Sequence, residues 1–285
     1  MGLLLVRYAE LGLKSHSVRR RFERTLVDNI LSALVHRQLE AFVTSEQGRI
    51  FVETERTSEA VLAVSRVFGV ASLSEALRCG ADMEAMKRTA AEYSRPLLRS
   101  GQSFAVRARR AGTHQFTSTD VGREVGSAIW LANEDKKLKV DLSHPEVEIY
   151  VEVREKVAYI FTQYVPGPGG LPLGTQGRVL AVLDKDRDAL ATWLIMKRGC
   201  RAIGVGDRES GAAKLLREWD PDMKFVELED IVSLARQHRA LAVVYGYTLD
   251  QFEKIKTVSI PVPAFYPLVG MSEKEIEERL QAIRA

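Results

Sequence analysis

Pro166-Gly167-Pro168-Gly169-Gly170-Leu171-Pro172 divides a chain of 285 residues into two stretches of different rhythm. Proline fixes φ and removes a backbone donor, and glycine opens conformations closed to other residues, so a run this dense sustains neither helix nor strand. A domain boundary is expected there. Just beyond it, Val179-Leu180-Ala181-Val182-Leu183 is a continuous apolar run, the pattern of a strand buried on both faces. A helix through Leu190, Leu194 and Met196 follows, and strands over 202–205, 225–228 and 241–245 alternate with further helical stretches. That alternation predicts a reduced doubly wound parallel α/β domain over 169–285.

Upstream of the seam the pattern is α+β. Residues 3–7 read as a strand, and Ser17 is placed to cap a helix running to about Leu39, with Val18, Phe22, Leu26, Ile30, Ala33 and Leu34 at helical spacing. A strand over 50–53, a helix over 58–68 and a strand over 71–77 complete a ferredoxin-like N-terminal domain, 1–78. The next unit, 79–168, holds a helix over 82–98, a strand over 103–109 and a helix over 118–132. It closes with strands over 147–153 and 157–164, joined by the polar turn Arg154-Glu155-Lys156.

Composition narrows the function classes. With 46% hydrophobic, 28% charged and 7% aromatic residues the balance is globular. No run approaches the roughly 18 apolar residues of a membrane span. The opening apolar run from Leu3 to Val6 is too short for a signal-peptide core. Two cysteines, Cys79 and Cys200, far apart, exclude a disulfide framework or a cysteine zinc site and suit a reducing cytoplasm, with both thiols expected to be buried and structural. The five histidines show no metal-ligand spacing and no Ser-His-Asp order, so no catalytic residue and no metal are expected.

Net charge is +3, and the distribution of that charge matters more than its size. Phe104-Ala105-Val106-Arg107-Ala108-Arg109-Arg110 alternates like a strand, with Phe104, Val106 and Ala108 opposite Ala105, Arg107 and Arg109. His114 follows in a turn that leads to Thr117-Ser118-Thr119-Asp120, which can cap a helix. Arginines beside a helix N-terminus suit phosphate, because cationic forks and unpaired amides converge. The same row also reads as a strand edge protected by charge. On the first helix Lys14, Arg19, Arg20 and Arg24 add a basic stripe, with Arg20 and Arg24 on one face away from Phe22 and Leu26. A solvated helix face would look the same.

Val6-Arg7-Tyr8-Ala9-Glu10-Leu11-Gly12-Leu13-Lys14-Ser15, followed by Arg19-Arg20-Arg21-Phe22-Glu23, resembles the opening of the tRNA 4-thiouridine synthase family, known also for sulfur transfer in thiamine biosynthesis. The 104–110 row, His114-Gln115-Phe116-Thr117-Ser118 and the segment 121–126 are similar to that family's THUMP domain. Gly169-Gly170-Leu171-Pro172-Leu173-Gly174-Thr175-Gln176 resembles the lead into its catalytic domain, a PP-loop ATP pyrophosphatase. The resemblance implies that 79–168 is a THUMP RNA-binding domain, that tRNA is the partner, and that Lys14, Arg19, Arg20, Arg24, Arg107, Arg109, Arg110 and His114 contact it.

It also implies an ATP loop reading Ser-Gly-Gly-x-Asp-Ser after the first strand of the third domain. The matching positions here read Asp184-Lys185-Asp186-Arg187-Asp188-Ala189, and of the pattern Asp188 alone is retained. Glycines let backbone amides approach a pyrophosphate, and hydroxyls complete the anion cradle. A carboxylate about 6 Å from a phosphate charge costs roughly 3 kcal/mol at an effective dielectric of 20. Residues 184–188 are therefore expected to form a solvated turn at a helix start, and Val182, Leu183, Asp188 and Gly246 to be the remnant of an ATP site. Gly246-Tyr247-Thr248-Leu249-Asp250-Gln251 resembles the family's Gly-Glu-Ser-Leu-Gly-Gln segment with two positions replaced, and no catalytic-domain cysteine stands late in the chain. The expected function is tRNA binding without ATP hydrolysis. No cofactor is expected, and the chain is expected to act with a protein partner or as a homodimer, without membrane association or DNA specificity. The alternative is an active tRNA sulfurtransferase that uses ATP and magnesium through a rearranged loop.

Overall fold

A computed structural model describes residues 1–8, 15–46, 48–257, 260 and 262–284, with the side chains of His16, Phe252 and Thr257 set aside; Lys14 lies outside the described residues. The first part of the chain runs β1 (Gly2–Arg7), α1 (His16–His36), β2 (Phe42–Glu46), β3 (Arg49–Thr54), α2 (Thr57–Val64) and β4 (Ser72–Gly80). It continues with α3 (Met83–Leu97), β5 (Ser103–Ala111), α4 (Ser118–Ala132), β6 (Lys139–Val140), β7 (Val147–Arg154), β8 (Val157–Phe161) and β9 (Val165–Pro166). Beyond these come β10 (Arg178–Val182), α5 (Asp186–Met196), β11 (Arg201–Val205), α6 (Gly211–Arg217), β12 (Lys224–Val226), α7 (Ile231–His238), β13 (Val243–Val244), α8 (Phe252–Thr257), β14 (Ala264–Phe265) and α9 (Glu273–Arg284).

Two compact units emerge. The first comprises Met1–Leu5, Phe51–Thr57 and Ser74–Val165. Its strands follow the order β3-β1-β4-β8-β7-β5-β6. β5 and β7 pair in parallel from Phe104↔Val147 to Ala111↔Arg154, with α4 as the crossover between them. α3 and α4 cover one face of the sheet, burying Met86, Val121, Val125 and Ile129 against Phe104, Ile149 and Val151. Both helices start where the chain supplies a cap: Asp82 accepts from the Ala85 amide at 2.8 Å, and Thr117 and Asp120 form a reciprocal capping box. The other face carries Leu3, Leu5, Phe51, Ala76, Tyr159 and Phe161, with Phe51 stacked on Tyr159 at 5.2 Å.

The second unit comprises Val6–Ile50, Ser58–Leu73 and Pro166–Ala285. Its five strands run in the order β12-β11-β10-β13-β14, parallel throughout. The order reverses between β10 and β13, which makes the carboxyl ends of those strands the usual ligand crevice of such a sheet. α5, α6 and α9 cover one face and α7 the other. The Pro-Gly seam is ordered by backbone bonding. The Gly69 amide donates to the Gly169 carbonyl and the Gly169 amide to the Val70 carbonyl, each at 2.8 Å, and the Leu171 amide donates to the Lys197 carbonyl at 3.0 Å. Gly170 sits at φ +74, with the Lys197 carbonyl oxygen 2.1 Å from where a Cβ would lie, so no other residue fits this turn. Phe68 closes the unit's core against Trp193 and Trp219, each at 5.4 Å.

Some expected details shift. α1 begins at His16, so Ser17 lies inside it, and Ser15 occupies the cap position without a side-chain bond. Of the strands, β2, β6, β9 and β14 are not among those the sequence predicts, and β9 takes in Pro166, the first residue of the seam. Cys79 and Cys200 are half-buried rather than buried, with burial pushing both thiol pKa values up. Among the described residues no helix is long and apolar enough to cross a membrane.

Candidate functional site

In the first unit a groove of about 1140 Å³ opens between α4 and β5. Its form follows from two local facts. β6 pairs with β5 only at Ser103 and Phe104, so from Ala105 onward that side of β5 has no strand beside it among the described residues. Gly122 and Gly126, one helical turn apart, face β5, where a Cβ would sit 3.7 Å from the Val106 carbonyl oxygen and 3.8 Å from its Cγ2. Small residues here leave a trough between helix and strand. Phe104, Val106 and Ala108 line it below, and Trp130, Leu131, Val140 and Leu142 form an exposed apolar wall. Trp130 is 44% exposed, and its ring is held by an Nε1–H bond to the Leu138 carbonyl at 3.3 Å.

The arginines of β5 have different roles. Arg107 donates through Nε to Glu148 at 2.7 Å and through Nη2 to the Leu142 carbonyl at 2.9 Å, while the Tyr150 hydroxyl also donates to Glu148. Tyr150 and then Arg107 hold the Glu148 carboxyl below the usual range, and burial followed by the Glu148 hydrogen bond and charge pushes Tyr150 up to about 12. Arg107 is thus built into the wall. Arg109, two residues on, is exposed and its side chain has no hydrogen-bond or ion-pair partner among the described residues. Arg110 donates to the Gly112 carbonyl at 2.8 Å. His114 lies 2.9 Å from the Glu155 carbonyl through Nε2, which must therefore carry the proton, leaving Nδ1 to accept from Arg110 at 3.5 Å. Arg123, on α4, also lines the groove but pairs with Asp120 and Glu124.

The basic stripe of α1 belongs to the second unit. Arg19 donates to Glu23 at 2.9 Å, and Tyr8 donates to the same carboxylate; burial first, then Glu23, pushes Tyr8 up to about 12. Arg20 and Arg24 lie opposite the buried Phe22 and Leu26, and neither side chain has a partner among the described residues.

At the carboxyl end of β10 the loop 184–188 folds onto one of its own side chains. Asp188 accepts from the amides of Asp184 at 2.8 Å and Lys185 at 2.7 Å, and at 7% exposure it is buried, not part of a solvated turn. Burial raises its pKa, the two amide bonds opposing. Val182 is half-buried and Leu183 buried; the Leu183 amide donates to the Val205 carbonyl. Gly246 packs so closely on Asp188 that a Cβ would lie 2.0 Å from Oδ1. Arg187 donates to Gln251, to Thr248 Oγ1 at 3.4 Å and to Glu273 at 3.2 Å, and Arg284 holds Asp186 at 2.8 Å. Beside this loop, Tyr245, Tyr247 and Tyr266 form a stacked set with centroids 5.2 to 6.1 Å apart.

Sequence reasoning missed the apolar wall of the groove. The available signal was Ile129-Trp130-Leu131, three consecutive large apolar residues on a helix that can bury only one stripe.

Two family models match, the ThiI ferredoxin-like domain over residues 3–74 and the THUMP domain over residues 80–163. A Methanosarcina acetivorans protein named "Probable tRNA sulfurtransferase" is 40% identical over 80% of this chain, which spans 59% of that relative's length. A Methanothermobacter thermautotrophicus protein of the same name is 33% identical over 99% of this chain and 84% of its own. Among solved structures, PH1313 from Pyrococcus horikoshii Ot3 superposes with a TM-score of 0.84 at 31% identity, covering all of both chains. A 4-thiouridine synthetase, crystallised as an RNA complex with bound ATP, shares the fold at a TM-score of 0.76 and 24% identity, over 99% of this chain and 85% of that one. A relative one-third identical and matched along nearly the entire chain, together with two domain models in the right order, places this protein in the tRNA sulfurtransferase family.

Proposed function

We propose that this chain binds tRNA through the groove between α4 and β5 and does so without an ATP-dependent step of its own, as a cytoplasmic protein. The observation that carries the RNA reading is the pairing of an exposed indole, Trp130, with Arg109, an arginine without a counter-charge among the described residues, at one groove. Single-stranded RNA is recognised by stacking unpaired bases on aromatic faces while cationic side chains meet its phosphates. The relative crystallised with RNA and the THUMP match support the same partner. Arg110 and His114, bonded to each other and to the backbone, stiffen the adjoining turn.

Against a nucleotide at the carboxyl end of β10 stands the bonding of the loop. The amides of Asp184 and Lys185, which a pyrophosphate would need, already serve Asp188, and the exposed Asp184 adds a negative charge to the loop, while Asp186 is paired with Arg284. On this reading the loop does not fit ATP. The rival reading, an active sulfurtransferase using ATP and magnesium, draws its support from family membership alone.

Separate titrations of the full-length protein with tRNA and with ATP, across a range of salt, test both halves. tRNA binding that weakens at least about fivefold in Trp130→Ala, with no ATP binding, is the expected result, since a stacked base contributes about 1–3 kcal/mol. ATP binding that is abolished by Asp188→Ala would instead favour the active enzyme. The surfaces left for a protein partner or a second copy are tested by light scattering of the same samples.

A further inference from the structure

At the opposite end of the C-terminal sheet from the usual ligand crevice lies a second hollow, of about 300 Å³, lined by Arg178, Arg201, Lys224, His238 and Asp222. Its cations stand at the starts of three neighbouring parallel strands: Arg178 opens β10, Arg201 opens β11 and Lys224 opens β12. Arg178 and Arg201 are direct register partners, and Lys224 pairs at Ile203, two residues along. Neighbouring strands lie about 4.8 Å apart and a residue rises about 3.3 Å, so the three side chains arise within roughly 12 Å of one another.

Charge is not balanced locally. Asp222 is taken up by Ser32 Oγ at 2.7 Å and His36 Nε2 at 2.9 Å. Arg201 faces the buried Asp220 at 4.0 Å and Asn29 Oδ1 at 3.4 Å. Arg178 and Lys224 are exposed, and their side chains have no acidic or hydrogen-bonding partner among the described residues. The negative end of α7 accounts for His238 in its last turn, but not for cations on the strands. Like charges gathered at one sheet edge repel each other, and although Asp220 and Asp222 answer Arg201, no carboxylate among the described residues pairs with Arg178 or Lys224. A bound anion would.

A further hollow, of about 400 Å³, is lined by His36, the partner of Asp222, by Arg37, Arg66 and Arg217, and by Glu218, which pairs with Arg66 at 2.8 Å. Cations outnumber carboxylates in both hollows, which suits a chain of phosphates better than one small ion.

We propose that the amino edge of the C-terminal sheet is a second phosphate site, in which Arg178 and Lys224 meet the backbone of bound RNA. The proposal rests on the tRNA reading above and extends the RNA footprint to a domain whose ordinary ligand crevice is at its other end. Contacts of this kind position RNA without reading its sequence.

The test is the salt dependence of binding of a tRNA transcript to the full-length protein. Removing one cation that neutralises a phosphate lowers the log–log slope by roughly 0.7 to 0.9, so Arg178→Ala with Lys224→Ala is expected to lower it by about 1.4 to 1.8. Lys274→Ala with Arg279→Ala on α9 removes the same net charge elsewhere and is expected to leave the slope nearly as it was. Arg178→Lys with Lys224→Arg is expected to keep the full slope, which separates an effect of charge from an effect on folding. A wild-type protein that binds tRNA, with a slope that the Arg178/Lys224 double alanine variant does not change, would overturn this site and leave the groove reading standing. Failure of the wild type to bind tRNA would overturn both. Inorganic phosphate titrated against the same variants covers the remaining case: saturable binding that needs Arg178 and Lys224, with the tRNA slope unchanged, would reassign the hollow to a small anion and refute the RNA contact.

Discussion

Arg109→Ala and Arg107→Ala, two residues apart on one strand, should have opposite consequences. The Arg109 side chain is exposed and unpaired among the described residues, so its removal breaks nothing in the protein. A phosphate about 4 Å from its guanidinium in water is worth about 1 kcal/mol, or roughly a fivefold decrease in affinity. The same interaction contributes roughly 0.7 to 0.9 to the salt slope. Raising salt about fourfold should therefore shrink the gap between wild type and variant by about threefold. Arg107 instead ties Glu148 on β7 to the Leu142 carbonyl, with both side chains of the ion pair about one-third exposed. Solvent screening limits such a pair to about 0.2–1 kcal/mol. Arg107→Ala should thus lower the melting temperature by a few degrees at most while leaving the salt slope nearly unchanged. Filter binding or fluorescence anisotropy at several salt concentrations (on the order of 50 to 200 mM, where such slopes are large), together with thermal melts, reads both. Equal reductions of slope in the two variants would mean that Arg107 leaves Glu148 to meet RNA, and the division of roles drawn from the hydrogen bonds would be wrong. An unchanged slope in Arg109→Ala would remove the groove from the RNA footprint.

The second unit yields three more expected outcomes. Asp188→Ala should cost about 1–2 kcal/mol in denaturant unfolding, the usual penalty for removing a helix-start carboxylate that accepts backbone amides, whereas Asp188→Asn should cost less because it also removes a buried charge. Gly246→Ala should destabilise by about 1–3 kcal/mol, because the added methyl collides with Asp188 Oδ1 and lies 3.0 Å from its Cα, a backbone atom that cannot step aside; a neutral result would contradict that packing. Asp222 is held below the usual carboxylate range, first by Ser32 and then by His36. Its folded pKa is depressed, so its contribution is present above about pH 4 and is lost as pH falls through the lower folded value. The melting-temperature gap between wild type and Asp222→Asn should accordingly be full near about pH 6 and close below about pH 4; a gap that widens in acid would reverse the sign.

Legibility in the sequence tracked how local the cause of each feature is. The bounds of α4 could be read because Thr117 and Asp120 cap it and Val121, Val125 and Ile129 repeat at helical spacing, all within one segment. β10 could be read because its residues after Arg178, covered on both faces, are all apolar. β2 could not: four of its five residues are exposed and the fifth half-buried, so no alternation marks an inner face. β6 and β14 are two residues long, too short for any period to register. The difference between Arg107 and Arg109 was hidden for another reason. Alternation along β5 places both on one face, and only the pairing with β7 brings Glu148, the partner of Ala105 in the register, diagonally against Arg107. Strand pairing is a long-range fact, and the sequence of one strand does not contain it.

The loop 184–188 is the clearest case of a long-range cause. In the sequence the carboxylates among its five charged residues stand out as hostile to a polyphosphate, and the only apparent reason for so charged a loop is solvation at a helix start. In the folded chain most of them have a structural task. Asp188 turns inward to hold the amides of Asp184 and Lys185, Arg187 reaches the 248–251 turn and α9, and Arg284 of α9 returns to Asp186. These charged residues therefore form a set. A glycine restored at a single position of this loop would open one stretch of backbone, yet the amides would remain occupied by Asp188 and the turn would remain tied to α9. On the reading proposed above, a nucleotide cradle here would require the acidic and basic members to be exchanged together, because each one removed leaves its hydrogen-bond partner without one.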